Sequence, residues 1–111
     1  MNIKEILHKV DHTLLRQDAA EQEILLLCDE AIQYQTASVC IPPCYVKAAK
    51  EYVGDNLTVC TVIGFPNGNT TTASKCFETA EAVKNGAEEI DMVINIGWLK
   101  SGEYDRVLDE I

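Results

Sequence analysis

Four short apolar segments recur along this chain, about 27 residues to each unit on average, and each is followed by a stretch whose apolar residues repeat with helical spacing. Asp11 to Leu15, Ser38 to Ile41, Leu57 to Phe65 and Glu89 to Ile96 read as strands. After the first, Asp18-x-x-Glu21 has the spacing of a capping box, and Ile24, Leu27, Cys28, Ala31 and Ile32 share one helical face. Pro42-Pro43 stops the second strand. Pro43 suits the first turn of a helix, where a missing N–H loses no partner, and Val46, Ala49 and Val53 face inward as far as Gly54. Ala73, Cys76, Ala80 and Val83 make a third stripe, capped by one of Thr70, Thr71 or Thr72 and closed by Asn85-Gly86. Tyr104, Val107, Leu108 and Ile111 make a fourth. Such alternation with short connections implies parallel strands joined by right-handed crossovers.

Parallel βα repeats build either an open doubly wound sheet or a (β/α)8 barrel. The fourth strand discriminates between them. Ile90, Met92, Ile94 and Ile96 lie on one face, and Glu89, Asp91, Val93 and Asn95 on the other. A strand covered by helices on both sides is apolar on both faces. One apolar face opposite a face that mixes acids and an amide fits helices outside and a barrel bore inside. A complete barrel takes eight units and about 250 residues. With 111 residues, this chain is expected to be α/β, four βα units forming half of a (β/α)8 barrel. Residues 1–111 then form a single half-barrel domain that breaks off inside the helix after the fourth strand.

Acidic side chains outnumber basic ones by 18 to 9, giving a formal charge of −9. No Lys/Arg cluster offsets this, so no nucleic-acid partner is expected. No apolar run reaches the ~20 residues of a membrane span, and the N-terminus lacks the apolar core of a secretion signal. A cytoplasmic location is expected. The five cysteines, Cys28, Cys40, Cys44, Cys60 and Cys76, are odd in number and loosely spaced. They fit reduced thiols in small apolar niches better than a disulfide framework or a zinc site.

Asp91 stands out chemically, because an acid on an otherwise apolar strand must be solvated, paired or used. Asp11 on the first strand follows the same logic, and Thr13 shares its face. His8, Asp11 and His12 are close in sequence but need not converge on a metal. The loop Gly64-Phe65-Pro66-Asn67-Gly68-Asn69 has neither the Walker spacing nor G-x-G-x-x-G and reads as a strand-to-helix turn. Lys4, Lys9, Lys47, Lys50, Lys75, Lys84 and Lys100 all fall outside the strands and read as solvated surface.

Four segments together are similar to one family. Val10-Asp11-His12-Thr13-Leu14-Leu15, Ser38-Val39-Cys40-Ile41-Pro42-Pro43, Val62-Ile63-Gly64-Phe65-Pro66-Asn67-Gly68 and Gly86-Ala87-Glu88-Glu89-Ile90-Asp91-Met92-Val93-Ile94-Asn95-Ile96-Gly97 resemble, in order, deoxyribose-phosphate aldolase of a bacterial type. The resemblance implies a (β/α)8 barrel that reversibly cleaves 2-deoxyribose 5-phosphate into acetaldehyde and glyceraldehyde 3-phosphate without metal or cofactor. It implies a Schiff-base lysine on the sixth strand, a second lysine on the seventh, and a proton-relay aspartate on the fourth that corresponds to Asp91. Asp11, Thr13, Cys40 and Phe65 match positions lining the substrate pocket. Both family lysines would lie beyond Ile111, so the 111-residue chain alone is expected to be inactive.

The contrasting expectation is non-catalytic, a self-assembling half-barrel. Two open sheet edges, at Asp11–Leu15 and Glu89–Ile96, would favour a homo-oligomer. So would an uncovered inner face assigned to Cys40, Thr61, Ile63, Phe65 and Val93.

Overall fold

The computed structural model describes all of residues 1–111. The chain runs α1 (Ile3–Leu7), β1 (Asp11–Thr13), α2 (Glu21–Tyr34), β2 (Ser38–Ile41), a 3₁₀ turn (Pro43–Tyr45), α3 (Val46–Val53), β3 (Thr58–Ile63), α4 (Thr72–Lys84), β4 (Glu89–Met92), α5 (Ile96–Lys100) and α6 (Tyr104–Glu110). The four strands form one sheet in sequence order, β1-β2-β3-β4, and every pairing is parallel. β1 and β4 are therefore its two edges.

The helices packed on the sheet, α2, α3 and α4, cover one side of it. Val39 and Ile41 of β2 and Val59 and Ile63 of β3 pack with Ile24, Leu27, Cys28 and Ala31 of α2, Val46, Ala49 and Val53 of α3, and Ala82 of α4. Ile90 and Met92 border the same core, so the apolar face read from the fourth strand is its helix side. The opposite side holds a small cluster, Cys40, Cys60 and Val62, with only Leu15 packed against it. Helices on one face and none on the other make this half of a (β/α)8 barrel and remove the doubly wound alternative.

The unclosed shape shows in its dimensions. The accessible surface is 7193 Å², whereas a closed monomer of 12.3 kDa is expected to expose about 6100 Å². The radius of gyration is 15.2 Å against roughly 13 Å for a compact chain of this length.

Several local expectations are corrected. β4 stops at Met92 because Asn95 leaves the sheet and caps α5, its Oδ1 accepting from the Trp98 N–H at 3.1 Å. The first strand is likewise shorter than Asp11–Leu15, and α1 and α5 are helices the periodicity does not reveal. The cap of α2 is at Ala20, whose N–H donates to Glu23 at 2.7 Å, while Asp18 pairs with Arg16. Ile32 lies on the exposed side of that helix. Pro43 opens a 3₁₀ turn, and the α-helix proper begins at Val46. Thr71 is the residue that caps α4.

The inward face of α4 is rotated from the expected stripe. Lys75 and Ala82 are buried, whereas Cys76, Ala80 and Val83 are exposed. On α6, Val107 and Glu110 are buried and Tyr104, Leu108 and Ile111 are exposed, since no other element of this chain covers that face. Thr61 and Ile63, expected inside, belong to the helix side. The register pairs Cys40 with Cys60, so Cys60 and Val62 take the inner positions.

Candidate active site on the inner face of the sheet

Strand register places the sequence-predicted residues in layers. Asp11 lies opposite Ser38, Thr13 opposite Cys40, Cys40 opposite Cys60, Cys60 opposite Glu89, and Val62 opposite Asp91. Because side chains alternate along a strand, these positions all share the face that carries no helices. Asp91 occupies the layer nearest the C-terminal ends of the strands, above Thr13 and Cys40, and Asp11 the layer furthest from them. Asp91, Asp11 and Thr13 are open to solvent, while Cys40 is buried.

Asp11 is held by a residue that sequence reading passed over. Ser38 is wholly buried, and its Oγ donates to Asp11 Oδ1 at 2.7 Å. The signal available was its place at alternate spacing from Cys40, which puts a small hydroxyl on the polar face of an otherwise apolar strand. Thr13 Oγ1 donates to the Asp11 carbonyl at 2.7 Å. Burial pushes the Cys40 thiol up; the Asp91 and Asp11 carboxylates add to the rise, and a hydrogen bond with Cys60 opposes it. The Cys60 thiol is pushed up to about 12, chiefly by burial and then by Cys40. Both thiols are therefore protonated at neutral pH and poor nucleophiles.

Phe65 stands apart from this cluster, in the loop that follows β3. It is half exposed and lines a hollow of about 190 Å³ at the C-terminal rim with Leu15, Pro42, Pro43, Val62 and Glu78. Val62 also belongs to the inner face, so the hollow joins that face at its upper edge.

The histidines do not converge. His8 Nδ1 bonds the Gln35 carbonyl at 2.8 Å, and His12, on the helix side of β1, bonds Glu30 at 3.1 Å. Cys44 and Cys76 are exposed rather than set in apolar niches. Lys75 contradicts the expectation of a solvated surface. It is 3% exposed, and its Nζ donates to the Gly68 carbonyl at 2.7 Å, the Val93 carbonyl at 2.8 Å and Glu110 Oε1 at 2.5 Å. Glu110 also accepts from Thr72 Oγ1 at 2.8 Å. Burial alone would raise the Glu110 carboxyl, but hydrogen bonds from Lys75 and Thr72 and the lysine's charge hold it below its ordinary range.

Active sites of barrels of parallel strands sit at the C-terminal ends of those strands, which is where Asp91 and Phe65 are found. Comparison with known proteins finds relatives both in sequence and in shape. The chain is 57% identical over 111 residues to deoxyribose-phosphate aldolase of Streptococcus pyogenes serotype M4, covering 100% of this chain and 50% of that protein. The crystal structure of a putative deoxyribose-phosphate aldolase from Coccidioides immitis superposes with a TM-score of 0.94 at 39% identity, over 99% of this chain and 44% of that one. The tetrameric deoxyribose phosphate aldolase from Aeropyrum pernix shares the fold, with a TM-score of 0.81 at 24% identity over 96% of this chain and 49% of that one. The chain thus spans about half the length of the relatives it matches. Residues 6–111 fit the sequence profile of DeoC/LacD family aldolases, and the chain belongs to that family.

Proposed function

We propose that this chain supplies the first four strands of a 2-deoxyribose-5-phosphate aldolase, a class I lyase that yields acetaldehyde and glyceraldehyde 3-phosphate. The observation that carries this reading is the grouping of Asp91, Asp11, Thr13 and Cys40 on the one face of the sheet that no helix covers. Asp91 is the acid/base group of a proton relay. Its place on an open polar face near the strand ends puts its carboxylate within reach of a bound sugar phosphate and of water. Asp11, fixed by Ser38, and Thr13 line the pocket below it. Cys40 contributes bulk rather than nucleophilicity, and Phe65 forms a wall at the rim. No role is assigned to a metal or cofactor.

The nucleophile is assigned to the second half of the barrel. No lysine of this chain lies on a strand, and the one buried lysine, Lys75, has its three N–H donors taken by two carbonyls and a carboxylate. A Schiff-base lysine needs a pocket that desolvates its ammonium, and the other six lysines lie on surface helices and loops, so the 111-residue chain alone is expected to form none. Residues 1–111 act as one half-barrel domain in a cytoplasmic enzyme. Co-expression with the second half of the Streptococcus pyogenes relative tests this. The pair should cleave 2-deoxyribose 5-phosphate and, after borohydride reduction, carry one adduct on the added half. A soluble pair without cleavage, or a stoichiometric adduct on this chain, would sink the reading.

A second reading is favoured by the open edges β1 and β4 and by the extra exposed surface: without a complementary half, the chain associates with a second copy. Each edge presents unpaired N–H and C=O groups, and a twofold arrangement would set β4 of each copy beside β1 of the other. Light scattering on a sizing column should give a mass above 12.3 kDa at micromolar concentration. A single monomeric species with cooperative unfolding would refute self-association.

A further inference from the structure

We propose that Lys75 is a positioning residue of the aldolase site, fixing the backbone just beyond β4 so that Asp91 is held in place on the inner face. This role rests on the proposed function of Asp91. Val93 lies two residues past Asp91 and is gripped at both ends: its N–H donates to the Ile63 carbonyl at 2.9 Å, and its carbonyl accepts from Lys75 at 2.8 Å. The same ammonium holds Gly68, in the loop after β3, so the ends of neighbouring strands share one donor.

The surroundings are shaped for that side chain. Gly64 and Gly68 have φ of +65° and +70°, in the region that favours glycine. A Cβ at Gly64 would meet Lys75 Cε at 2.9 Å, and one at Gly68 would collide with the Ile94 carbonyl. The lysine stem therefore runs directly over Gly64, and the two rim loops touch. Glu78 holds the Gly64 N–H at 2.7 Å from the same helix. An ammonium offers three diverging donors, and here three acceptors on three separate segments take them. An apolar side chain would fill the space without desolvating a charge, but it would tie none of the carbonyls. Glu110 supplies the countercharge that allows the ammonium to be buried.

Three variants separate positioning from stability. Lys75→Met leaves the buried Glu110 carboxylate without its countercharge, with only Thr72 donating to it, so it tests both effects at once. Lys75→Met combined with Glu110→Met removes the pair together, restoring a compatible interior while leaving the Gly68 and Val93 carbonyls untied. Glu110→Gln removes the countercharge at a cost in stability, while its amide oxygen still accepts from the lysine, whose two carbonyl ties remain. In the enzyme reassembled from two halves, the double variant should fold like the parent by circular dichroism, keep KM within about twofold and lose about ten- to a hundred-fold in kcat. Glu110→Gln should keep most of kcat. In the 111-residue chain alone, the double variant should move the NMR signals of Val93, Ile94 and the Asp91 carboxyl carbon, leaving those of Val39 and Val59 in place. Parental kcat in the double variant, or Asp91 signals that do not move, would overturn the assignment. The NMR comparison decides it even if the reassembled parent proves inactive, an outcome that would count against the aldolase reading alone.

Discussion

The helix side of the sheet and its open side are built from alternate residues of the same strands, yet they do different work. On the helix side Val39, Ile41, Val59 and Ile63 are almost fully buried and join a 15-residue core. On the open side Asp11, Ser38, Thr13, Glu89 and Asp91 surround a three-residue apolar patch. Stability is concentrated on one face, which leaves the other free to carry charged groups at little cost to the fold. A period of two along a strand is enough to keep the two roles apart.

The sharpest test of that division is Asp91→Asn. In a reassembled barrel it should lower turnover by about 10²- to 10⁴-fold, because the amide cannot exchange a proton. In the chain alone it should change stability by no more than about 0.5 kcal/mol, as expected of an exposed position. The opposite pattern is expected across the sheet. Ile41→Ala, at a fully buried site, should cost about 2–5 kcal/mol in denaturant unfolding. Equal stability losses at the two sites would erase the distinction between the faces.

A smaller effect concerns acid. Because Glu110 is held below its ordinary value of 4.5, its ionised form contributes stability that is fully present above that value and is lost as pH falls through the depressed folded value. The stability of the parent should decline on acidification below about pH 4.5, and Glu110→Gln should decline less steeply over the same range. Identical acid limbs would place the ion pair outside the folding equilibrium. Smallest of all, thiol labelling at neutral pH should be fast at exposed Cys44 and Cys76 and slow at Cys28, Cys40 and Cys60. Burial pushes Cys28 up to about 11 and Cys60 up to about 12. Fast labelling of Cys40 or Cys60 in the folded chain would show that the open face breathes more than its packing implies.

Much of this arrangement was legible in the sequence. Strand–helix alternation carried the parallel order, and the contrast between Ile90/Met92 and Glu89/Asp91 revealed which side faces helices. The motifs around Asp11, Cys40 and Asp91 pointed to residues that the register does bring onto one face. What escaped has physical reasons. Short α1 and α5 depend on caps at Asn2 and Asn95 rather than on an apolar stripe. Thr61 and Ile63 were assigned to the wrong face because a continuous apolar run hides its own phase; only pairing with β2 resolves it. Lys75 was misread because a lysine on a helix is usually solvated, and its three acceptors come from positions 7, 18 and 35 residues away. No local pattern announces such a convergence.

The simple strand order has a consequence for how the chain is made. Each new strand pairs with the one synthesised just before it, so β2, β3 and β4 each emerge to find a partner strand already made. Domains begin to fold as they emerge, at about 5–20 residues per second, and here each new unit meets a template already in position. The growing edge is always the newest strand. Shortened chains ending after α3 or α4 should therefore keep their earlier pairings, and the sheet can be laid down in the order in which it is translated.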